Sequence, residues 1–204
     1  MIMGKKAVPF AAGLLQFGEQ GHGEVVFNSR ERVYARFDTS LMAYARHLIL
    51  QGIDLFSMMD GFSQQGNFVI SDIGCGRGNL LHDSKLHYSD KIKTNGFDVI
   101  KLRFHNGIDH FVEGDFETNA LPPELEKSSQ IVISDQVFRY FDDPFGNAFE
   151  KTKQLLAPGG VALIDYLMMN PQIISRLYDL THNPTREFGY VFYGAALLRI
   201  DRAK

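Results

Sequence analysis

Apolar and polar positions switch repeatedly between period two and period 3.6 along this chain, and that rhythm predicts its elements. Val69-Ile-Ser-Asp72-Ile73 is an apolar, β-branched run that breaks at Gly74, Gly76 and Gly78, as a strand turning into a helix would. Downstream, Phe145, Ala148, Phe149, Thr152, Leu155 and Leu156 keep helical spacing. Asp142-Asp-Pro-Phe is expected to open that helix, with an acid at the cap and proline in the first turn, and Ala157-Pro-Gly-Gly160 to stop it. Val161-Ala-Leu-Ile-Asp165 then reads as a buried strand. Pro171 to Leu180 suits a helix, and Phe188 to Ile200 suits two strands with Gly194 near a tight turn. Upstream, Leu41, Met42, Tyr44, Ala45, Leu48, Ile49, Leu50, Ile53 and Leu55 are spaced as one or two amphipathic helices, capped by Thr39 or Ser40. The helix after Gly78 has Leu80, Leu81 and Leu86 as its strong apolar anchors, so a loop within residues 82–95 is expected. Strands alternating with helices predict a single α/β domain with a mostly parallel, twisted sheet and helices on both faces.

The glycines carry the first chemistry. Three of them at alternate positions remove every Cβ from one edge of the turn, so backbone can lie against a ligand at positive φ. A dinucleotide fingerprint would read G-x-G-x-x-G and receive a pyrophosphate at the helix N-terminus. Here position 79 is Asn, and Asp72 stands two residues before the first glycine. An acid there suits a positively charged ligand and would repel a pyrophosphate.

The pattern Asp72-x-Gly74-x-Gly76-x-Gly78 resembles the D/E-x-G-x-G-x-G signature of the class I S-adenosylmethionine-dependent methyltransferases. Further pieces of that family follow in order: Gly96-Phe-Asp98-Val99-Ile resembles the end of its second strand, Phe111-Val-Glu-Gly-Asp115-Phe116 its third, and Ile131-Val-Ile-Ser134-Asp135 its fourth. The Leu-x-Pro-Gly-Gly-x-x-x-Ile run resembles the turn before its fifth strand, so the likeness covers roughly residues 67 to 167. The resemblance implies a Rossmann-like, doubly wound seven-stranded sheet with an antiparallel last strand. It implies S-adenosyl-L-methionine across the carboxyl ends of the first, second and fourth strands, with Asp72, Ile73, Gly74, Cys75, Gly76 and Gly78 forming the turn beneath it. Asp98, followed by Val99, would accept both ribose hydroxyls, a task that suits a carboxylate because its two oxygens take two donors. Asp115 would meet the adenine amino group and Phe116 the ring, while Ser134, Asp135 and Gln136 would border the methionine part. Residues 67–204 would form the cofactor-binding core and residues 1–66 a helical N-terminal lid over the acceptor pocket.

Composition narrows the partners. A net charge of -3 gives no global attraction to nucleic acid. One cysteine, Cys75, excludes an intramolecular disulfide and a multi-cysteine zinc site, and we read it as a small residue filling space. The seven histidines show no metal-ligand spacing. No segment approaches the ~18 continuous apolar residues of a membrane span, and the first residues lack a signal-peptide core, so a cytoplasmic protein is expected.

The acceptor is less legible. Methyl transfer from a sulfonium is an in-line displacement from a donor already activated by its charge, so alignment can supply much of the catalysis, and a general base is needed only if the acceptor must lose a proton early. Ser134-Asp-Gln-Val137 lacks the Pro-Pro-Tyr-like signature of amino-directed DNA methyltransferases, and a small-molecule acceptor is favoured over protein or RNA. Tyr34, Arg36, Phe37, Tyr44 and Arg46 are candidate lid residues, and Arg139, Tyr140 and Tyr166 candidate liners of the acceptor site, with packing the competing role for each. The alternatives are a non-catalytic cofactor-binding or partner subunit, and a nicotinamide-dependent oxidoreductase.

Overall fold

In the computed structural model, which describes residues 24–27, 33–36, 40–99, 107–166, 171–193 and 197–204, the predicted rhythm becomes a sheet between two helical layers. The first described elements are β1 (Glu24–Phe27) and β2 (Val33–Arg36), which pair antiparallel, then α1 (Leu41–Leu50) and α2 (Leu55–Gln65). There follow β3 (Phe68–Ile73), α3 (Asn79–Tyr88), β4 (Ile92–Asp98), β5 (His110–Glu113) and β6 (Ser129–Ser134). The chain continues through α4 (Asn147–Leu155), β7 (Leu156–Asp165), α5 (Pro171–His182), β8 (Phe188–Tyr193) and β9 (Leu197–Arg202). The main sheet has seven strands in the order β5-β4-β3-β6-β7-β9-β8. β9 alone runs against its neighbours, pairing antiparallel with both β7 and β8. The strand order reverses between β3 and β6, which places a topological switch point at their carboxyl ends, where ligands of such sheets bind.

Period-two burial sorts the core into two halves. Phe68, Ile70, Ile131, Ile133, Val161 and Leu163 face the layer of α1, α2 and α3, meeting Leu41, Tyr44, Leu48, Leu55, Met59, Leu80 and Leu81. Ile73, Val132, Ala162, Ile164, Leu198 and Ile200 face α4 and α5, meeting Ala148, Phe149, Leu155 and Leu177. Each fully buried Leu or Ile is worth about 1.5–3 kcal/mol. A one-residue slip of β6 would move Ile131 and Ile133 to the wrong layer, so the register is firmly held.

Several expected boundaries move. Ser40 is the N-cap of α1, accepting the Ala43 N–H at 3.2 Å, and Asp54 caps α2 by accepting from Ser57 N at 3.0 Å. The N-terminal region is not all helical, because β1 and β2 pair within it. Met42, Ile49 and Leu50 of the expected apolar stripe point outward. The loop expected within 82–95 is short: α3 runs to Tyr88, with Leu86 exposed and Tyr88 and Ser84 buried in its place, and β4 starts at Ile92. Tyr88 Oη ties α3 to α2 by donating to Asp60 at 2.9 Å. Helix α4 begins later than its acids suggested, with Gly146 at the cap position. Asp143 instead closes a turn, its side chain taking the Phe145 N–H at 3.1 Å. β7 begins before the proline and glycines, at Leu156, with an irregularity in its pairing to β6 that absorbs them. The expected turn at Gly194 lies outside the described residues. Among the described residues no helix is long and apolar enough to cross a membrane, and no cluster of His, Cys, Asp and Glu could hold a metal ion.

Candidate functional site

The end of β4 grips the glycine turn after β3. Phe97 carbonyl accepts from Gly74 N at 2.7 Å and Cys75 N at 3.1 Å, and Gly78 N donates to the Cys75 carbonyl at 2.8 Å. Asp98 Oδ2 takes the Gly76 N–H at 3.0 Å. All three glycines of the turn hold positive φ, at 79°, 58° and 80°. A Cβ on Gly74 would sit 2.2 Å from Val137 Cγ2, so only glycine lets the loop after β6 approach. Cys75 is buried against Gly96, where a Cβ would lie 2.8 Å from its sulfur; it fills space, as its size suggests. Gly78 begins α3 at the end of the turn without a side-chain cap.

Beside the turn, β5 ends in a loop fixed by its own polar groups. Asp115 Oδ1 accepts from Glu117 N at 2.9 Å, and Lys151 of α4 reaches over to donate to the carbonyls of Phe116, Glu117 and Asn119. Burial lowers the Lys151 ammonium below the usual lysine range, against the opposing pull of Asp115 and Glu117. A small cavity of about 10 Å³ opens here, lined by Phe97, Gly114, Asp115, Phe116 and Leu121 among others. Phe116 itself is largely core, edge-on to Phe97 at 5.2 Å and stacked with Phe141 at 6.4 Å. Val99 is exposed at the end of β4, and Ser134 is buried, its hydroxyl donating to the Ile73 carbonyl at 3.5 Å. Gln136 follows at φ 62°, a conformation that costs a non-glycine side chain free energy and recurs at ligand sites.

A third group gathers under α1. Asp72 ends the apolar stripe of Phe68 and Ile70, and Asp165 ends that of Val161 and Leu163. Asp135 extends the stripe of Ile131 and Ile133 one residue past β6, so the alternation directs all three acids to the α1 layer. Tyr44 of α1 confirms the placement. Burial first, then the charges of Asp135, Asp165 and Asp72, pushes its phenol well above the usual tyrosine range. Its hydroxyl is buried with no hydrogen-bond partner. One turn on, His47 Nε2 lies 2.9 Å from Asp165 Oδ2, with the imidazole 40% exposed and the carboxylate only 2%.

The structure thus brings Asp72, Ile73, Gly74, Cys75, Gly76, Gly78, Asp98, Asp115, Ser134, Asp135 and Gln136 to one edge of the sheet. Two acceptor-site candidates and one lid candidate do not join them in the way expected. Tyr166 is a fully buried core ring, stacked on Phe145 at 5.2 Å, and Tyr140 and Arg46 are exposed. The side chains of Tyr34, Arg36 and Arg139, and all of Phe37, lie outside the described residues. His47 and its pairing with Asp165 escaped the sequence reading. Its only trace there was the i, i+3 spacing of Tyr44 and His47 on one helix face.

No protein-family model matches the chain, and no curated protein sequence does. Solved structures do. The antibiotic-resistance methyltransferase Kmr aligns over 74% of this chain and 92% of its own, at 17% identity and a TM-score of 0.51. MycE methyltransferase from the mycinamycin biosynthetic pathway, solved in complex with Mg and SAH, aligns over 82% of this chain and 49% of its own, at 16% identity and a TM-score of 0.51. The fold is therefore that of the class I S-adenosylmethionine-dependent methyltransferases.

Proposed function

We propose that this chain binds S-adenosyl-L-methionine and transfers its methyl group to a small-molecule acceptor. The observation that carries the reading is the clasp between Asp98 and Gly76, which sets a buried carboxylate against a side-chain-free turn with Asp72 behind it. Both acids sit where a pyrophosphate would be repelled, which disfavours the nicotinamide alternative. The residues fit the cofactor: Gly74, Gly76 and Gly78 give backbone space, and Asp72 and Asp98 give acceptors for its ammonium and ribose hydroxyls. Asp115, with Phe116 and the cavity beside it, would receive the adenine, with Ile73, Cys75 and Val99 as neighbours. Ser134, Asp135 and Gln136 would border the methionine end. When bound, S-adenosylmethionine supplies a methyl already activated by its positively charged sulfur.

The chain's own contribution is positioning. The turn and the Lys151-held loop would flank the cofactor, and α1 and α2 pack on the face of the sheet beside the turn. The likeness to enzymes of this fold, and the intact acid and glycine set, support catalysis over a purely binding role. Incubating the purified chain with methyl-labelled S-adenosylmethionine and a panel of small acceptors tests this directly. Labelled product, with S-adenosylhomocysteine formed in equal amount, is expected; binding without any transfer would favour the non-catalytic reading.

A further inference from the structure

We propose that Lys151 and Glu117 are positioning residues for the cofactor: together they form a bridge that joins the loop after β5, on the adenine side, to the loop after β6, on the methionine side. The proposal rests on the methyl-transfer reading and adds two residues to its site. The two loops leave strands that have β4 and β3 between them, and those inner strands end in Asp98 and the glycine turn. A bridge between the outer loops therefore fixes the spacing of the two ends of a ligand lying over the inner strands. Lys151 makes the first half. Asn119 N donates to the Asp115 carbonyl at 2.9 Å, so residues 115–119 form one isolated helical turn. Such a turn ends in carbonyls that have no N–H partners within it, and the Lys151 ammonium gives its three donors to Phe116, Glu117 and Asn119.

Glu117 makes the second half. Its carboxylate oxygens each take one backbone N–H, from Asp142 at 2.9 Å and from Asp143 at 2.8 Å. Charge-assisted bonds from two successive amides fix the carboxylate in one orientation, and with it the segment just before α4. Phe116 and Phe141 follow the same path, ring to ring at 6.4 Å. The bridge closes on itself, because Lys151 stands on α4 and α4 begins at Asn147, just after the segment that Glu117 holds. At its near end the loop after β6 is pinned by Val137, which packs on Gly74 so closely that no Cβ fits there. Gln136, at φ 62°, lies between β6 and that contact. Loss of Glu117 thus frees the far end of the loop that carries Gln136, while Lys151 still holds the adenine loop. Loss of Lys151 frees both, because Glu117 rides on the turn that Lys151 holds. Packing alone predicts no such order.

The test measures hydrogen exchange in the full, unliganded chain and calorimetric affinity for two probes, S-adenosylhomocysteine and adenosine. Glu117→Ala should speed exchange of the Asp142 and Asp143 N–H groups by at least about tenfold and leave that of Asn119 unchanged. Lys151→Met, which keeps the apolar stem, should speed exchange at all three. Adenosine should bind Glu117→Ala within about twofold of the parent, while S-adenosylhomocysteine binds about tenfold more weakly, the scale of residues that act through others. Lys151→Met should weaken both probes by about tenfold or more. Glu117→Gln, which keeps one acceptor oxygen, should fall between the parent and Glu117→Ala. In the double variant, Glu117→Ala should add less than about threefold to the loss from Lys151→Met, because the bridge is already broken. Unchanged affinity in both single variants, equal loss of the two probes in Glu117→Ala, or additive losses in the double variant would overturn the proposal. If Lys151→Met fails to fold, the split between the probes in Glu117→Ala decides it alone. Failure of both probes to bind the parent would instead remove the methyl-transfer reading, while exchange in the unliganded chain still decides the bridge.

Discussion

Replacing Asp98 by alanine tests one side chain in two roles. Its carboxylate is buried and already holds the Gly76 N–H at 3.0 Å, yet a carboxylate offers about four acceptor positions, so it can clasp the turn and take ribose hydroxyls together. Alanine strands the Gly76 N–H, at about 1–3 kcal/mol of stability. For a domain of this size that lowers the melting temperature by about 2–4 °C per kcal/mol. Loss of two charge-assisted bonds to the cofactor should add about 2–4 kcal/mol in binding, or roughly 30- to 1,000-fold in Kd. Asp98→Asn separates the roles: its amide oxygen can still accept from Gly76, so stability should stay near the parent while affinity falls by less than in Asp98→Ala. Calorimetric titration with S-adenosylhomocysteine and thermal melting on the same samples give both numbers. A lowered melting temperature with unchanged affinity would make Asp98 a clasp alone and refute the ribose assignment.

Gly74→Ala forces a side chain to φ 79° and into Val137, and should cost about 1–3 kcal/mol in a denaturant melt; an unchanged midpoint would refute the close approach. If residues 29–60 cover the cleft, cofactor should slow hydrogen exchange across α1, and unchanged exchange there would leave α1 a packing element only. Partial burial pulls the Asp109 carboxyl up, but hydrogen bonds from Lys85 and Thr94 outweigh it and hold it below the usual carboxylate range. Its stabilisation is therefore present above the unfolded value of about 3.9 and lost as pH falls through the lower folded one. Asp109→Asn should be less stable at neutral pH and flatter in acid, as measured by melting against pH; a parallel profile would contradict the assignment.

The strands that build the site were legible because their apolar runs end abruptly at chemistry-bearing residues: Asp72 with its glycines, Asp98 after Gly96-Phe97, Asp135 after Ile131–Ser134. Helix ends were less so. Asp142-Asp-Pro has the composition of a cap, but its acid serves a turn, and α4 starts only where Ala148 and Phe149 can reach the core. Leu86 illustrates the limit of spacing, since Tyr88 takes the buried place that its size suggested. His47 was invisible for a different reason. A histidine on an amphipathic helix gains meaning only from what lies across from it, and Asp165 is 118 positions away in the chain.

Calorimetry on the purified chain decides which cofactor it binds. S-adenosylmethionine and S-adenosylhomocysteine should bind at one site, with NAD binding more weakly or not at all. Tighter binding of NAD would contradict the account.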